Sequence, residues 1–170
     1  MKAKRKVSVI FKSRSPADTL RLARALAGLL KGGEVLSLKG MIGAGKTFFV
    51  KGLAEALGSK TSPVSASFNL MRTYKGGLKI YHFDLFRVSP EEMANIGLED
   101  YLGMKDGLAA IEWAQSAEYL YGRGDFLELD FELAGGDARE IRACAAGAGP
   151  EKMLAGLKKR WLKNLKKTAA

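Results

Sequence analysis

The chain has 170 residues, of which 47% are hydrophobic and 27% are charged, a composition typical of one globular domain with a substantial core. Cys144 is the only cysteine and His82 the only histidine, which excludes an intrachain disulfide and leaves little for a His/Cys zinc site or a histidine-activated nucleophile. No run of 18 apolar residues occurs, and the basic start is followed by too few apolar residues for a signal peptide. We therefore expect a soluble, cytoplasmic protein that does not enter a membrane.

The net charge of +10 is concentrated at the two ends of the chain. Residues 1–14 contain six Lys and Arg and no acid, and residues 151–170 contain seven Lys and Arg and one Glu. Such ends either contact nucleic acid, an anionic surface or an acidic partner, or are simply solvated. The composition leaves both interpretations open.

The first third of the chain predicts two strand–helix pairs. Residues 6–13 alternate enough to predict a strand, and residues 15–33 predict a helix that begins with an N-cap serine and a proline and ends at two glycines. Residues 34–40 predict a second strand. Residues 46–58 predict a second helix, because apolar side chains recur every three to four residues up to a terminal glycine.

A phosphate-binding motif lies between that strand and that helix. Gly40 and Gly45 enclose four residues and are followed by Lys46 and Thr47, which matches G-x-x-x-x-G-K-[ST]. In such a loop the backbone N–H groups surround a phosphate, the lysine reaches the β- and γ-phosphates, and the hydroxyl binds Mg²⁺. The helix that follows adds positive electrostatic potential at its N-terminus. The sequence therefore predicts a site for ATP and Mg²⁺.

The second third predicts a hairpin and a further helix and strand. Residues 59–77 predict a polar loop that runs into a short strand, and residues 78–88 predict its hairpin partner. Residues 89–103 begin with the capping-box pattern of a helix. Residues 106–115 predict a buried strand with polar residues at its end.

The last third predicts a second hairpin and a basic helix. Residues 125–133 and 138–147 alternate around a glycine turn, and residues 150–167 form an amphipathic helical pattern. One half of its helical wheel is apolar: Met153, Leu154, Leu157, Trp161, Leu162 and Leu165. The other half is basic: Lys152, Lys159, Arg160, Lys163, Lys166 and Lys167, with Lys158 outside it. We expect the apolar half to dock on the domain rather than on a membrane.

These elements together predict an α/β fold of the P-loop NTPase type. Helices should flank a central mixed, mostly parallel sheet to which antiparallel hairpins are added. Residues 1–150 would form the ATPase domain, and residues 151–170 a basic helical extension of it.

Two carboxylates are candidates for the chemistry at the phosphates. Asp84 lies in the predicted strand of the first hairpin, and Glu112 follows the apolar run of the buried strand. Ligands of open α/β sheets bind beyond the carboxyl ends of the strands, where both side chains are expected. Each could instead be a surface acid or a helix cap, but carboxylates that hold Mg²⁺ and orient the attacking group are what a hydrolase requires.

Several absences narrow the class of nucleotide-binding protein. No N-K-x-D tetrapeptide occurs, which disfavours a GTPase, and the chain is too short for a helicase or a transporter ATPase. Few arginines follow the phosphate loop, whereas small-molecule kinases usually clamp their substrates with several. A minimal P-loop ATPase that acts on another protein is favoured. The alternatives are a small-molecule kinase and a nucleotide-gated RNA- or protein-binding module with little hydrolysis.

The order of five segments resembles one family. GMIGAGKTFFVKGLAEALG, VSASFNLMRTY, YHFDLFRV, EEMANIGLEDYL and DGLAAIEWAQ are similar to the TsaE (YjeE) family over residues 7–150. The resemblance implies an ATPase, weak alone, in the bacterial machinery that makes threonylcarbamoyladenosine (t6A) at position 37 of tRNAs. Its partner would be the TsaB–TsaD complex, which ATP hydrolysis resets after TsaD has transferred a group activated by TsaC. Contact with tRNA would be indirect or through the basic tail.

The motif and the resemblance together give a set of site residues. The nucleotide would contact Gly40, Gly43, Ala44, Gly45, Lys46, Thr47, Phe48, Thr19, Ser67, Trp113 and Arg139. The resemblance makes Asp84, Glu112 and Lys46 the catalytic residues, and it makes Thr47, Asp84 and Glu112 the ligands of Mg²⁺. Ser67 would sense the γ-phosphate in place of the family's threonine.

Three departures from the family pattern affect the switch segments more than the ligands. Met41 and Ile42 replace an acid and a leucine of the loop, SASF replaces S-P-T-F, and Ala114 and Gln115 replace a proline and an acid after the tryptophan. None of these removes a phosphate or metal ligand. We therefore expect altered turnover rather than loss of nucleotide binding.

Overall fold

The computed structural model of the chain describes residues 7–61 and 70–168. In these ranges the strands are β1 (Val7–Ser13), β2 (Val35–Gly40), β3 (Met71–Tyr74), β4 (Lys79–Asp84), β5 (Gly107–Glu112), β6 (Phe126–Leu133) and β7 (Arg139–Ala146). The α-helices are α1 (Pro16–Ala27), α2 (Lys46–Ala56), α3 (Pro90–Ile96), α4 (Glu118–Tyr121) and α5 (Ala148–Thr168). Short 3-10 segments, Leu98–Tyr101 and Ala114–Ala117, follow α3 and β5.

The described strands form one mixed sheet in the order β1-β7-β6-β2-β5-β4-β3. The four central strands β6, β2, β5 and β4 are parallel to one another. The strands β3, β7 and β1 are added antiparallel, the first two through the hairpins that the sequence predicts. The predicted fold class is confirmed.

Helices cover both faces of this sheet. Alternate strand residues point to opposite faces, so β2 contributes buried side chains to both. Leu36 packs among buried side chains of α1, α2 and α5, whereas its neighbour Val35 packs among those of α3, α4 and the 3-10 segments. The phosphate loop leads from β2 into α2, so the site lies on the α1–α2 face. Among the described helices, none is both long and apolar enough to cross a membrane.

Two predicted helix ends are wrong. The helix predicted over residues 15–33 ends at Ala27, because the chain turns at Gly28 and Gly33 already donates its N–H to Gly107 of the neighbouring strand. The helix predicted over residues 89–103 ends at Ile96, because Gly97 takes a left-handed conformation (φ 66°) and a 3-10 segment follows. The predicted capping box at the start of α3 is present.

The C-terminal helix docks on the domain by only part of its apolar half. Leu154 and Leu157 are buried in the core, and the ring of Trp161 lies edge-on to Phe11 at 6.0 Å between centroids. Leu162 and Leu165, predicted to dock as well, are 49% and 41% exposed, because neither side chain packs against the core cluster.

One residue of the predicted basic half of α5, Arg160, contacts the domain. The guanidinium of Arg160 donates hydrogen bonds to the carbonyl oxygens of Ala25 and Gly28, at 3.2 and 3.0 Å. These carbonyls lie at the C-terminal end of α1, where helix carbonyls lack partners within the helix and a positive charge is favourable. Arg160 therefore joins α5 to α1 instead of facing outward.

Candidate nucleotide site

The phosphate loop has the backbone that a phosphate cradle requires. Gly40, Gly43 and Gly45 have φ angles of 129°, 76° and 110°, a region that side-chain-bearing residues rarely adopt. At Gly40 space is limiting as well, because a Cβ would lie 2.5 Å from the carbonyl oxygen of Phe131 on β6. The helix α2 begins at Lys46, and the N–H of Phe49 donates to the carbonyl of Gly45 at 2.9 Å. The loop therefore ends at a helix N-terminus, as an anion site requires.

Lys46 is buried inside this loop. Its Nζ donates to the carbonyl oxygens of Gly40 at 2.7 Å and Met41 at 3.0 Å, and it lies 4.2 Å from the centroid of the Trp113 ring. Burial lowers the pKa of Lys46, and the charges of Glu112 and Asp84 oppose that shift. The ammonium is thus held at the base of the loop, close to two carboxylates.

The two carboxylates end neighbouring parallel strands. Asp84 is the last residue of β4 and Glu112 the last of β5, and the strand register pairs them directly. Both are buried, with 5% and 3% of their surface exposed. Oδ1 of Asp84 accepts a hydrogen bond from the backbone N–H of Phe86 at 3.2 Å, which fixes this carboxylate at the start of the next loop.

One cavity of about 420 Å³ brings most of the predicted site residues together. It is lined by Ile42, Gly43, Gly45, Lys46, Thr47, Phe48, Asp84, Phe86, Glu112 and Trp113. It lies beyond the carboxyl ends of β2, β4 and β5, which is where open α/β sheets bind their ligands. The cavity therefore brings together the phosphate loop, Lys46, the hydroxyl of Thr47 and the carboxylates of Asp84 and Glu112.

The donor set fits Mg²⁺. Thr47, Asp84 and Glu112 line the cavity and carry oxygen atoms, and Mg²⁺ is usually held by one or two carboxylates together with substrate phosphates and water. Within the described ranges no cluster of three or more His, Cys, Asp or Glu side chains occurs. Oxygen atoms of this kind are what Mg²⁺ uses when it binds together with the phosphates of a nucleotide.

His82 is a site residue that the sequence analysis did not find. It is fully buried on β4, two residues before Asp84 and hence on the same face of the sheet. Its Nε2 lies 2.9 Å from Oε1 of Glu112, within hydrogen-bonding distance. Oε2 of Glu112 has no hydrogen bond to the described part of the chain. The two-residue spacing of His82 and Asp84 already indicates that both side chains share one face of a strand. The hydrogen-bond partner of His82, Glu112, lies 30 residues further along the chain.

Trp113 closes one side of the cavity in an unusual backbone conformation. Its φ of 57° is left-handed, which is uncommon for a bulky residue, and its N–H donates to the carbonyl of Leu38 on β2 at 3.1 Å. Its ring lies 4.9 Å from that of Phe86, centroid to centroid, in addition to its contact with Lys46. The strained turn therefore places an aromatic ring directly beside the lysine.

Four of the other predicted residues do not line this cavity: Gly40, Ala44, Thr19 and Arg139. Arg139 on β7 donates from Nε to the carbonyl of Ala44 at 3.1 Å, so it contacts the loop from behind. Thr19 on α1 is buried, and its hydroxyl pairs with that of Ser13 at 2.8 Å. Gly40 lines a neighbouring cavity that Ile42 and Trp113 also line. Ser67 and the SASF motif fall outside the described residues.

The two replaced loop residues are prominent on the surface. Met41 and Ile42 are 74% and 70% exposed, so neither side chain fills the loop. The loop glycines nevertheless keep the phosphate-cradle backbone described above. The replacement therefore changes the rim of the cavity and leaves its interior intact.

Comparisons with known proteins agree with this geometry. Residues 13–141 match the family model described as "Threonylcarbamoyl adenosine biosynthesis protein TsaE". The chain is 37% identical over 134 residues to the tRNA threonylcarbamoyladenosine biosynthesis protein TsaE of Bacillus subtilis, covering 78% of this chain and 83% of that protein. It is 38% identical over 128 residues to the TsaE protein of Rickettsia bellii, covering 74% and 87%.

A solved structure shows the same fold. The crystal structure of YdiB from Bacillus subtilis superposes with a TM-score of 0.79 at 31% sequence identity, covering 92% of this chain and 98% of that one. The sequence matches and the shared fold extend over the phosphate loop, both carboxylates and the strands that carry them. The chain belongs to the TsaE family.

Proposed function

We propose that this protein binds ATP with Mg²⁺ and hydrolyses the ATP as a subunit of the machinery for tRNA threonylcarbamoyladenosine. The observation that carries the proposal is the convergence of Lys46, Thr47, Asp84 and Glu112 on one cavity at the strand ends. Membership of the TsaE family and the relatives' names supply the pathway. Asp84, Glu112 and Lys46 are the proposed catalytic residues.

The loop and Lys46 would hold the phosphates. The backbone N–H groups of the loop offer hydrogen bonds to phosphate oxygens, and the N-terminus of α2 adds a favourable potential. The Nζ of Lys46, hydrogen-bonded to the carbonyls of Gly40 and Met41, would exchange those acceptors for oxygens of the β- and γ-phosphates. The proposed binding set also includes Gly43, Ala44, Gly45, Phe48, Thr19, Ser67, Trp113 and Arg139.

Thr47, Asp84 and Glu112 would hold Mg²⁺ between protein and phosphates. Bound there, the metal would neutralise charge that develops on the phosphates during transfer. Glu112 would also orient the attacking water, because His82 engages Oε1 and leaves Oε2 for the cavity. Attack of that water on the γ-phosphorus breaks the bond to the β-phosphate oxygen and yields ADP and phosphate.

The TsaB–TsaD complex is the proposed partner, and hydrolysis would permit repeated rounds of tRNA modification. The test is ATP consumption by the purified chain, measured alone and with TsaB–TsaD and tRNA. We expect slow hydrolysis alone and faster hydrolysis with the partners. Hydrolysis that the partners leave unchanged would contradict the partner assignment.

Two alternatives give different results in related assays. A small-molecule kinase would consume ATP in response to a nucleoside or sugar from a panel, and not in response to TsaB–TsaD. A nucleotide-gated binding module would support several turnovers of tRNA modification with a non-hydrolysable ATP analogue. We expect neither result.

A further inference from the structure

The strand β1 leaves a main-chain edge open. Within the described part of the chain, β1 pairs with β7 along Val7–Ser13 and has no strand on its other side. Four consecutive residues, 9–12, line one groove between β1, α1 and α5. Because consecutive strand residues point to opposite faces, a groove lined by all four follows the edge of the strand itself. The outward N–H and C=O groups of β1 are thus accessible from this groove, which we call the β1 groove.

Apolar side chains that the domain leaves uncovered border the same groove. Ile10 is 47% exposed, and Leu162 and Leu165, at the undocked end of the apolar half of α5, are 49% and 41% exposed. Exposed apolar residues are ordinary when they are scattered. Three that share a groove of about 770 Å³ with a free strand edge are typical of a peptide-binding surface.

The charge of the β1 groove is positive. Lys12, Arg14, Arg21 and Lys158 line it, and the only acid among its lining residues is Asp18, which pairs with Arg21 at 2.9 Å. The backbone N–H of Arg14 donates to Oδ2 of Asp18 at 3.0 Å, but within the described residues neither the guanidinium of Arg14 nor the ammonium of Lys158 forms a salt bridge. Lys12 reaches Glu140 only at 3.7 Å, and both of those side chains are well exposed. An incoming segment with acidic side chains would therefore find unpaired positive partners.

We propose that the β1 groove binds an extended segment of another protein that carries both acidic and apolar side chains and adds to β1 as a further strand. Main-chain hydrogen bonds to the strand edge would provide affinity, and the apolar and basic side chains would select the sequence. This interaction is separate from the proposed nucleotide site and does not depend on it.

The groove is less suited to RNA or to a second copy of the chain. Single-stranded RNA is usually held by exposed aromatic rings, and the only aromatic side chains among the lining residues, Phe11 and Trp161, are buried. A second copy that paired through its own β1 would bring a further set of Lys12 and Arg14 to an already positive rim.

The test uses the full chain and two fluorescent eight-residue peptides, one alternating glutamate with valine and the other lysine with valine. We expect saturable binding of the glutamate peptide, at least tenfold weaker binding of the lysine peptide, and slower hydrogen exchange at the β1 amides when the glutamate peptide is bound. Equal binding of both peptides, or no saturable binding of either, would overturn the proposal.

Matched variants locate the binding. The double variants Leu162→Ser/Leu165→Ser and Arg14→Glu/Lys158→Glu change exposed side chains and should each weaken glutamate-peptide binding at least tenfold. The control Leu133→Ser changes an exposed leucine at the end of β6, and the control Lys75→Glu a basic residue after β3, at the opposite edge of the sheet. Binding that the groove variants leave unchanged would contradict the assignment.

Two further measurements test whether RNA or a second copy of the chain binds in the β1 groove instead of an acidic segment. Displacement of the peptide by a twelve-nucleotide single-stranded RNA, lost in Arg14→Glu/Lys158→Glu, would assign the groove to nucleic acid instead. A concentration-dependent dimer in sedimentation that Ile10→Lys abolishes would assign it to a second copy. ATP binding reports on the nucleotide site and should be unchanged in every variant. A failure of the peptide-binding proposal can therefore be distinguished from a failure of the proposed function.

Discussion

His82 and Glu112, 30 residues apart in the chain, meet with 2.9 Å between Nε2 and Oε1 in the interior of the α1–α2 face. The pair lies on adjacent parallel strands, where the register opposes Glu112 to Asp84 and places His82 diagonally beside it. Within the described residues Nδ1 of His82 has no hydrogen-bond partner. Among the described residues Glu112 is therefore the only hydrogen-bond partner of the imidazole, which restricts how Glu112 can turn in the cavity.

We expect His82→Phe to slow ATP hydrolysis about tenfold while ATP binding stays within about twofold, because the ring volume is kept and a hydrogen bond to a charged group, about 1.5–3 kcal/mol, is lost. The control His82→Gln retains an N–H donor and should recover much of the rate. Steady-state hydrolysis and ATP titration give the two quantities. A His82→Phe protein that hydrolyses ATP at the wild-type rate would show that the pair is only structural.

Lys46→Ala should weaken ATP binding by about 10- to 100-fold, since it removes charge-assisted hydrogen bonds to the phosphates. Lys60→Ala, an exposed lysine beyond α2, is the matched control and should bind like the wild type. Titration calorimetry with Mg-ATP measures both. Unchanged affinity of the Lys46 variant would exclude the phosphate-loop assignment.

Arg160→Gln should lower the free energy of unfolding by about 1–2 kcal/mol, because two carbonyls at the end of α1 lose charged donors. Its neighbour Lys159 is exposed, and Lys159→Gln should stay within about 0.5 kcal/mol. Urea unfolding of the two variants provides the comparison. Equal stabilities would mean that the contact between α5 and α1 contributes nothing measurable.

The outward lysines of α5 allow a separate test of contact with tRNA. Replacing Lys152, Lys159 and Lys163 by glutamine should leave ATP binding intact and weaken association with tRNA, with a smaller effect as salt is raised. Arg160 is kept because of its contacts with α1. Association that does not change even at low salt would make this face an ordinary solvated surface.

The phosphate loop and the order of its flanking elements were predictable because their signals are local. The motif, the strand before it and the helix after it are contiguous, and the predicted strand over residues 34–40 differs from Val35–Gly40 by one residue. The hairpins were predictable for the same reason. Glu112 was predicted at the end of the apolar run of a strand, as observed, whereas Asp84 was predicted inside a strand over residues 78–88 that in fact ends at Asp84.

The features that were missed depend on parts of the chain that are distant in sequence. The contact between His82 and Glu112 follows from the register of two parallel strands, which no local pattern reveals. The early end of α1 depends on Gly28, whereas the stronger signal, Gly32 and Gly33, marks the following turn. A helical wheel assigned Leu162 to the buried half of α5 but could not show where the core ends.

We expect the carboxylates at the strand ends to support the ATP hydrolysis that lets tRNA modification turn over repeatedly. Asp84→Ala and Glu112→Ala should both keep measurable ATP binding and lose hydrolysis at least a hundredfold, because carboxylates that act through metal and water stabilise the transition state more than the bound ground state.

The most direct measurement is multiple-turnover formation of threonylcarbamoyladenosine on tRNA with TsaC and TsaB–TsaD, adding either the wild-type chain or Glu112→Ala. We predict sustained product formation with the wild type and no more than a single round with Glu112→Ala. Sustained formation with the variant, at the wild-type rate, would show that repeated turnover does not require hydrolysis supported by Glu112.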